Sequence, residues 1–282
     1  GTMDQPTQIT SAVAHHAEGP CWSPTWGGLR WVDMLAGDLL TLDTAGEITR
    51  LPVGSPVAAF VRPRSRGGYV VGTERGLALA GDSDEVPTPW LELWSDPGIR
   101  LNEGGCDPWG NLYAGGMPYV KVEGAAQLFR ITPAGEVTVV ESQVTTSNGI
   151  DFSPDGSLAY YNDTQTEQTD VYDAAPEGLT GRRRFHLADG GRVDGLTVDS
   201  AGNVWVAMNR VGAVRCYSPD AEILEELRLP VQLVTAVTLG GPDLRDLFIT
   251  TSRELPDPEP GAGAVFHTQV DIPGKPVLPF GG

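Results

Sequence analysis

The sequence predicts an all-β fold, a six-bladed β-propeller of four-stranded blades whose ring is closed by an N-terminal strand. Three observations lead to this prediction. One short pattern recurs six times, at intervals of 39 to 46 residues, across almost the whole chain of 282 residues. Apolar stretches alternate with turn sequences, to which the 36 glycines and 23 prolines contribute. Helical periodicity is nearly absent. β-rich repeats of this length are typical of propellers, in which each repeat forms one blade.

The six copies of the pattern begin at a position that we call the slot, and four of the six slot residues are Glu, Asn or Asp. In chain order the copies are Glu18–Ser23, Val57–Arg62, Asn102–Asp107, Asn148–Ser153, Asp194–Asp199 and Thr235–Gly240. Residues in one slot of a radial array lie on one ring around its axis. The repeat therefore brings oxygen-bearing side chains from distant segments together.

Each repeat is interpreted as two hairpins. In the fourth copy, the turn Ser153-Pro-Asp-Gly156 leads into the apolar run Leu158–Tyr161. Pro presets φ, Gly supplies positive φ and Asp bonds nearby backbone, so this is turn chemistry. A second hairpin follows in several repeats, for example Leu39–Asp43 with Glu47–Leu51. Two hairpins give the four strands of a blade. Ala221–Leu229 is compatible with a short helix, but its place in the repeat favours a strand.

The sixth repeat is one strand short at its C-terminal end. The segment Gln8–Val13 has the composition of a strand and could complete this blade from the other end of the chain. Such pairing would also remove an open sheet edge. We therefore expect the two termini to close the ring together.

No linker divides the chain, so we expect one domain over residues 4–282. Residues 1–3 resemble an expression scar, and the sequence has neither a signal-peptide pattern nor an apolar run of about 18 residues. The three cysteines form no CxxC pair, so we interpret them as small buried residues of a protein in a reducing compartment. These features predict a cytoplasmic protein that has no membrane partner.

The net charge of −18 makes nucleic acid an unsuitable partner, because an acidic surface repels phosphate. The acidity serves solubility, or in part concentrates cations near a metal site. We expect a monomer or a weak homo-oligomer whose partner is a small molecule.

The slot residues predict a metal centre near one mouth of the central channel. Glu18, Asn102, Asn148 and Asp194 offer carboxylate and amide oxygens, which suit Ca²⁺, Mg²⁺ or Mn²⁺, with Zn²⁺ or Fe²⁺ also possible. Few protein ligands leave positions for water and substrate, as in catalytic sites. The alternative is structural, because Asx-Gly pairs such as Asn148-Gly149 are common turn formers.

The sequence resembles the SMP-30/gluconolactonase/luciferin-regenerating enzyme family of six-bladed propellers. The resemblance covers most of the chain and is specific because several segments match together. These are Glu18–Pro20 with Leu29–Asp33, Arg100–Gly104 with Asp107–Met117, Ser147–Gly156 with Tyr160–Asp163, and Val193–Asp199 with Val204–Ala207.

The resemblance implies a role for each matching residue. Glu18, Asn148 and Asp194 match the metal ligands, whereas Asn102 and Arg100 match residues that contact substrate. Glu103 stands where many members have Asp, and we include it among the substrate-binding residues. Sugar lactonases of the family often have acidic residues after the segment that ends at Met117 in this chain. The sequence Pro118-Tyr-Val-Lys121 follows instead, which makes a less polar lactone an alternative to a sugar lactone and suggests packing by Tyr119.

The predicted function is metal-dependent hydrolysis of a lactone. The cation, calcium in a crystal, would polarise the carbonyl, and water would attack with Asp194 as general base. Two alternatives remain open: a phosphotriesterase-like hydrolase on the same metal, and a calcium-binding propeller without catalysis. His15 and His16 lie close to Glu18, although loop positions without a role are the more common interpretation.

Overall fold

Twenty-four strands form six four-stranded antiparallel sheets in the computed structural model, which describes residues 4–188 and 190–282. The arrangement confirms the predicted six-bladed propeller. Residues 1–3, predicted to be an expression scar, lie outside the described residues.

The blades follow one another in chain order, and the first strand named in each blade is the innermost and the last is the outermost. Blade 1 contains β2 (Ala17–Ser23), β3 (Gly28–Asp33), β4 (Asp38–Leu42) and β5 (Ile48–Pro52). Blade 2 contains β6 (Val61–Pro63), β7 (Tyr69–Gly72), β8 (Gly76–Ala80) and β9 (Thr88–Glu92). Blade 3 contains β10 (Ile99–Cys106), β11 (Leu112–Pro118), β12 (Ala126–Ile131) and β13 (Val137–Val144).

The second half of the ring repeats this arrangement. Blade 4 contains β14 (Ser147–Phe152), β15 (Leu158–Asp163), β16 (Gln168–Ala175) and β17 (Gly178–Leu187). Blade 5 contains β18 (Arg192–Val198), β19 (Val204–Asn209), β20 (Ala213–Tyr217) and β21 (Ile223–Arg228). Blade 6 contains β22 (Val234–Gly240), β23 (Asp246–Thr251), β24 (Val265–Gln269) and β1 (Thr7–Gln8). The helical segments of the described residues are the 3₁₀ turns Pro24–Trp26, Met34–Ala36 and Thr164–Thr166.

Burial falls from the axis to the rim within a blade. Six of the seven residues of β2 are buried, whereas no residue of β5 is. The inner strands pack against one another around the channel, β14 against β18 and β18 against β22 for example. A strand that is enclosed on both faces needs apolar residues at successive positions, which explains why the inner strands carry the clearest sequence signal.

The turns between the first two strands of several blades have the predicted chemistry. Asp107 Oδ1 accepts hydrogen bonds from the backbone N of Trp109 and Asn111 at 2.9 and 2.8 Å. Asp199 Oδ1 repeats the pattern with the N of Ala201 and Asn203 at 3.0 and 2.9 Å. The predicted strand at Ala221–Leu229 is also confirmed, as β21.

The N-terminal segment closes the ring, as predicted, but with a shorter strand. Thr7 and Gln8 pair with His267 and Phe266 of β24, so the strand ends where Gln8–Val13 was expected to begin. The chain leaves the sheet there because the hydroxyl of Thr10, rather than its backbone, accepts from Val265 N at 3.0 Å. No helix among the described residues has the length and apolarity needed to cross a bilayer.

The C-terminal segment 274–282 crosses the end of the channel opposite the slot residues. Lys275 Nζ lies 3.1 and 3.0 Å from the two carboxylate oxygens of Asp151 in β14. Phe280 is fully buried, and its carbonyl accepts from Ser65 N at 2.8 Å. The tail therefore covers one mouth of the channel and leaves the other as the approach to the slot residues.

Candidate metal centre and substrate cavity

The slot coincides with a β-bulge in five of the six inner strands. The pairing register shifts at the slot of β2, β10, β14, β18 and β22. A bulge inserts one extra residue and re-aims the side chains next to it. In four of these strands, β2, β10, β14 and β18, the polar side chain at the bulge lines one cavity. In the remaining blade, Val57 precedes the strand β6 and belongs to the apolar core.

The glycines that follow the slot residues allow neighbouring inner strands to come close. A Cβ on Gly149 would lie 2.4 Å from Leu196 N, and a Cβ on Gly195 would lie 2.5 Å from Ala236 Cβ. Neither distance is compatible with a side chain. The Asx-Gly pairs thus serve interstrand packing inside β14 and β18 rather than the turns that their sequence suggests.

Four slot residues line one cavity of about 200 Å³ at the open mouth: Glu18, Asn102, Asn148 and Asp194. Thr235 does not line it; its hydroxyl donates to Ala17 O at 2.5 Å. The rest of the lining comes from the ends of the strands and from turns: His16, Arg100, Met117, Thr146, Thr164, Gln165, Arg192, Asn209, Arg210, Leu233, Ser252 and Glu254.

Two oxygens in this cavity are buried without a hydrogen-bond partner. Asn148 donates its Nδ2 to Thr164 Oγ1 at 2.9 Å, which fixes the amide and leaves Oδ1 unpartnered. Asp194 accepts from Asn209 Nδ2 at 2.9 Å through Oδ2, and its Oδ1 is likewise unpartnered. An unpaired buried carboxylate or amide oxygen costs stability unless a cation or water satisfies it. Both oxygens therefore have the environment of metal ligands.

The third oxygen donor, Glu18, is 2% exposed and has weak partners. Its Oε2 accepts from Gly19 N at 3.3 Å, and its Oε1 lies 3.9 Å from His16 Nε2. Burial raises the pKa of Glu18 well above its ordinary value, and the nearby Asp194 carboxylate adds to this effect. Burial also raises the pKa of Asp194, to about 7. A bound cation would compensate both effects, so the three residues Glu18, Asn148 and Asp194 fit a divalent ion.

The cavity offers few protein ligands for a metal ion. Among residues 4–188 and 190–282, no group of three or more His, Cys, Asp or Glu side chains is arranged to hold a metal ion. Two carboxylates and one amide carbonyl supply hard oxygen ligands, fewer than the six to eight that Ca²⁺ takes. The remaining positions would face the cavity.

Arg100 and Asn102 form a second, interconnected part of the wall. Arg100 Nη1 donates to Asn102 Oδ1 at 2.9 Å, and Asn102 Nδ2 donates to Ser147 O at 2.7 Å. The carbonyl oxygen of Asn102 thus already has a partner, unlike that of Asn148. This difference separates the two asparagines and places Asn102 with Arg100 in the wall of the cavity.

The structure places Glu103 and Tyr119 outside the lining. Glu103 is 4% exposed, accepts from Gly104 N at 2.9 Å and lies 3.5 Å from Arg62 Nη2, within the channel. Tyr119 is 47% exposed, and its hydroxyl donates to the Glu74 carboxylate. Its ring centroid lies 6.0 Å from the guanidinium carbon of Arg100, so Tyr119 lies beside the cavity rather than in it.

Most side chains of the outer cavity wall were not predicted from the sequence. His16, for which a loop position was the common interpretation, lines the cavity; its Nδ1 lies 2.7 Å from Ser252 Oγ, and burial lowers its pKa to about 3. His16 stands two residues before a slot, as Arg100 does. The position two residues before each slot is therefore a second repeated signal, and it would have identified His16 from the sequence. Gln165, Arg210 and Glu254 lie outside the inner strands, where no such repeat exists.

The chain is similar to known proteins in both sequence and fold. The SMP-30/Gluconolactonase/LRE-like region matches residues 16–253. The chain is 36% identical to a 6-deoxy-6-sulfogluconolactonase of Pseudomonas putida, over 91% of this chain and 92% of that protein. It is 32% identical to the pentonolactonase XacC of Haloferax volcanii, over 96% of each.

Two solved structures have the same fold over almost their whole length. A regucalcin from Agrobacterium tumefaciens, described as a calcium-binding protein, has a TM-score of 0.91 at 26% identity and covers 99% of this chain and 98% of its own. A luciferin-regenerating enzyme has a TM-score of 0.89 at 23% identity, with 98% of this chain and 100% of its own covered; this likeness concerns the fold alone.

Proposed function

The chain belongs to the SMP-30/gluconolactonase/LRE-like family, and we propose that it is a divalent-metal-dependent hydrolase that opens a sugar lactone. One observation carries the metal part of this proposal. Asn148 Oδ1 and Asp194 Oδ1 are buried and unpartnered in the cavity that Glu18 also lines. Oxygen ligands of this kind suit Ca²⁺, Mg²⁺ or Mn²⁺.

The lining supports a polar substrate. Among the described residues that line the cavity, only Met117 and Leu233 are apolar. A less polar lactone would leave the amide, hydroxyl and charged groups of the wall without partners, which is unfavourable. The sulfogluconolactonase and pentonolactonase relatives point in the same direction. We therefore favour a sugar lactone, despite the absence of acidic residues directly after Met117.

The chain's own residues would position substrate and water. A divalent cation, when bound by Glu18, Asn148 and Asp194, supplies Lewis-acid polarisation of the lactone carbonyl. Arg100 is held by Asn102 Oδ1 and would orient the ring from the side of the cavity formed by blade 3. Fixed polar groups act without reorganisation during the reaction.

Asp194 is the proposed general base. Asn209 donates to its Oδ2 at 2.9 Å and Asn162 Nδ2 donates to its backbone carbonyl at 2.7 Å, so both the side chain and the strand are fixed at this point. With Oδ1 directed toward the cation, Oδ2 accepts only one hydrogen bond, from Asn209, and could take the proton of the attacking water on its second lone pair. Glu103, which lies in the channel near Arg62, would act on the site through its charge, and Tyr119 would contact only a substrate that extends beyond the cavity.

Substitution of Asp194 tests this proposal. Asp194→Asn keeps the size of the side chain but removes its charge, so we expect metal affinity to fall at least tenfold and kcat at least a hundredfold. Isothermal titration with Ca²⁺, Mg²⁺, Mn²⁺ and Zn²⁺ measures the first, and a pH-indicator assay with glucono-1,5-lactone measures the second.

Asp173→Asn is the matched control, because this carboxylate is exposed in blade 4 and pairs only with Arg183 among the described residues. It should retain both properties. Full lactone turnover by protein that has been freed of metal with EDTA would contradict metal dependence. Metal binding without turnover of any sugar lactone would indicate a binding protein instead.

A further inference from the structure

A second ring of side chains stands two residues before the slot. Five of its members line the cavity: His16, Arg100, Thr146, Arg192 and Leu233. The strand pairing repeats as well, because Arg100 pairs with Met117 and Arg192 with Asn209, and both partners are also in the lining. Arg192 therefore holds in blade 5 the position that Arg100 holds in blade 3.

Arg192 differs from Arg100 in its freedom to bind a ligand. Arg100 is 7% exposed and donates to Asn102 Oδ1 and Leu101 O. Arg192 is half-buried and the adjacent Arg210 is exposed. Within residues 4–188 and 190–282, no carboxylate oxygen lies within 4.0 Å of the side-chain nitrogens of either arginine. Among the described residues, two guanidinium groups without a carboxylate partner thus stand at the mouth of the cavity, in a protein whose net charge is −18.

The backbone of Arg210 supports a role for its side chain. Its φ is 72°, in the left-handed region that favours glycine, and it is one of only four such non-glycine residues in the described part of the chain. Gly212, two residues later in the same turn, has φ 70°. Strained residues concentrate at functional sites, because the surrounding structure must hold them in place.

The charge balance of the cavity points to an anion. Its acidic and arginine side chains are three of each: Glu18, Asp194, Glu254, Arg100, Arg192 and Arg210. A divalent cation bound by Glu18 and Asp194 would leave two positive charges in excess. A neutral sugar lactone would not use this excess, whereas a substrate with an anionic substituent would.

We propose that the lactone carries a sulfonate or phosphate group remote from its carbonyl, and that Arg192 and Arg210 bind this group. The inference rests on the proposed function and adds the substrate class. Both groups present oxygens that accept hydrogen bonds from guanidinium nitrogens, and charge-assisted bonds of this kind are strong. The anion would lie on the blade 5 side of the cavity, above Asp194, while the carbonyl lies toward the slot residues.

The test compares three lactones on the full-length, metal-loaded protein: glucono-1,5-lactone, its 6-phosphate and its 6-deoxy-6-sulfonate. We expect kcat/KM for one of the charged lactones to exceed that for the neutral lactone at least tenfold, and the better of the two identifies the anion. The preference is the ratio of kcat/KM for the better charged lactone to kcat/KM for the neutral lactone. In Arg192→Gln and in Arg210→Gly this ratio should fall about tenfold, mainly through an increase in KM for the charged lactone. Arg210→Gly removes the charge and relieves the backbone at once, so it is expected to fold.

Arg245→Gln is the matched control, because this exposed arginine lies in the turn between β22 and β23, outside the cavity lining, and its loss changes the net charge equally. It should leave the ratio unchanged. Arg192→Lys should recover part of the ratio that Arg192→Gln loses. Binding of 6-phosphogluconate and of gluconate by isothermal titration gives a readout that needs no turnover.

Each outcome decides between the two proposals. Turnover of charged and neutral lactones with equal kcat/KM would overturn this inference and leave the lactonase assignment intact. A ratio that Arg192→Gln does not change would also overturn it. Equal loss of gluconate and 6-phosphogluconate binding in the variants would assign the arginines to the product carboxylate instead. Failure to hydrolyse any of the three lactones would overturn the proposed function itself.

Discussion

Asn148 and Asn102 show how one residue type acquires two roles from its contacts. Both occupy a slot, and their sequences Asn-Gly and Asn-Glu-Gly give little reason to separate them. In the structure, Arg100 donates a hydrogen bond to the side-chain carbonyl oxygen of Asn102. Asn148 instead donates through its side-chain nitrogen to Thr164, and its side-chain oxygen has no partner. The difference between the two asparagines depends on contacts with residues outside the slot. The spacing of the repeats therefore predicts that the slot residues converge, but not which of them are metal ligands.

Glu103 lies outside the cavity although its sequence position predicted a place in the substrate site. It directly follows a slot residue and precedes Gly104, which suggests a place in the site. The bulge in β10 shifts the pairing between Leu101 and Glu103, and the Glu103 side chain lies against Arg62 instead of in the cavity wall. The side on which a residue lies after a bulge is set by strand pairing, which a single sequence does not reveal.

His186 provides a prediction about pH and stability at the scale of one residue. It stacks on Tyr217 of the next blade, with ring centroids 3.8 Å apart, and burial lowers its pKa to about 4, from 6.5. Between pH 6.5 and pH 4 the unfolded chain binds a proton that the folded chain does not, so this residue reduces stability as the pH falls. The free energy of unfolding should lose about 2 kcal/mol between pH 7 and pH 5 from this source.

Urea unfolding of wild type and His186→Phe at pH 7 and pH 5 measures this contribution, because phenylalanine keeps the stacking but does not titrate. We expect the variant to lose less stability than the wild type over this range. Parallel pH dependence of His186→Phe and wild type would show that His186 is protonated equally in both states.

At the scale of the element, the bulged inner strand links fold and site. Five inner strands repeat a register shift at the slot, and glycine follows directly in β2, β14 and β18. The sequence predicted the strands and the slot, because hydrophobic runs and Asp/Pro/Gly turns are local signals. It did not predict the reason for the glycines, since the close approach of Gly195 to Ala236 joins residues of different blades.

The N-terminal strand offers a test of ring closure. Deletion of residues 4–13 would expose the edge of β24 and remove its bonds to Gln8, Ile9 and Thr10. At about 1 kcal/mol for each of these bonds, we expect the melting temperature to fall by about 5–10 °C. Differential scanning calorimetry measures the change.

Thr7→Ala is the control for this deletion, because the Thr7 side chain is exposed and the backbone pairing with His267 is kept. It should melt with the wild type. A deletion variant whose melting temperature matches that of the wild type would show that closure by β1 contributes nothing to stability.

At the scale of the whole molecule, one end of the channel is covered and the other is open. The C-terminal segment covers one end, where Lys275 pairs with Asp151, and the slot residues lie toward the other. The repeat predicted the circular array and the convergence of the slot residues. It could not predict the tail, which lies outside the repeats, or the arginines of the mouth, of which Arg210 comes from a turn between β19 and β20.

The placement of one cation by slot residues from separate blades is the central claim, and anomalous diffraction from crystals soaked in Mn²⁺ tests it most directly. We expect one anomalous peak in the cavity, at about 2.0–2.6 Å from Asn148 Oδ1 and from carboxylate oxygens of Glu18 and Asp194. The peak should be lost in Asp194→Asn crystals soaked in the same way. A peak bound by other residues, or none in wild-type crystals with an open cavity, would contradict the claim.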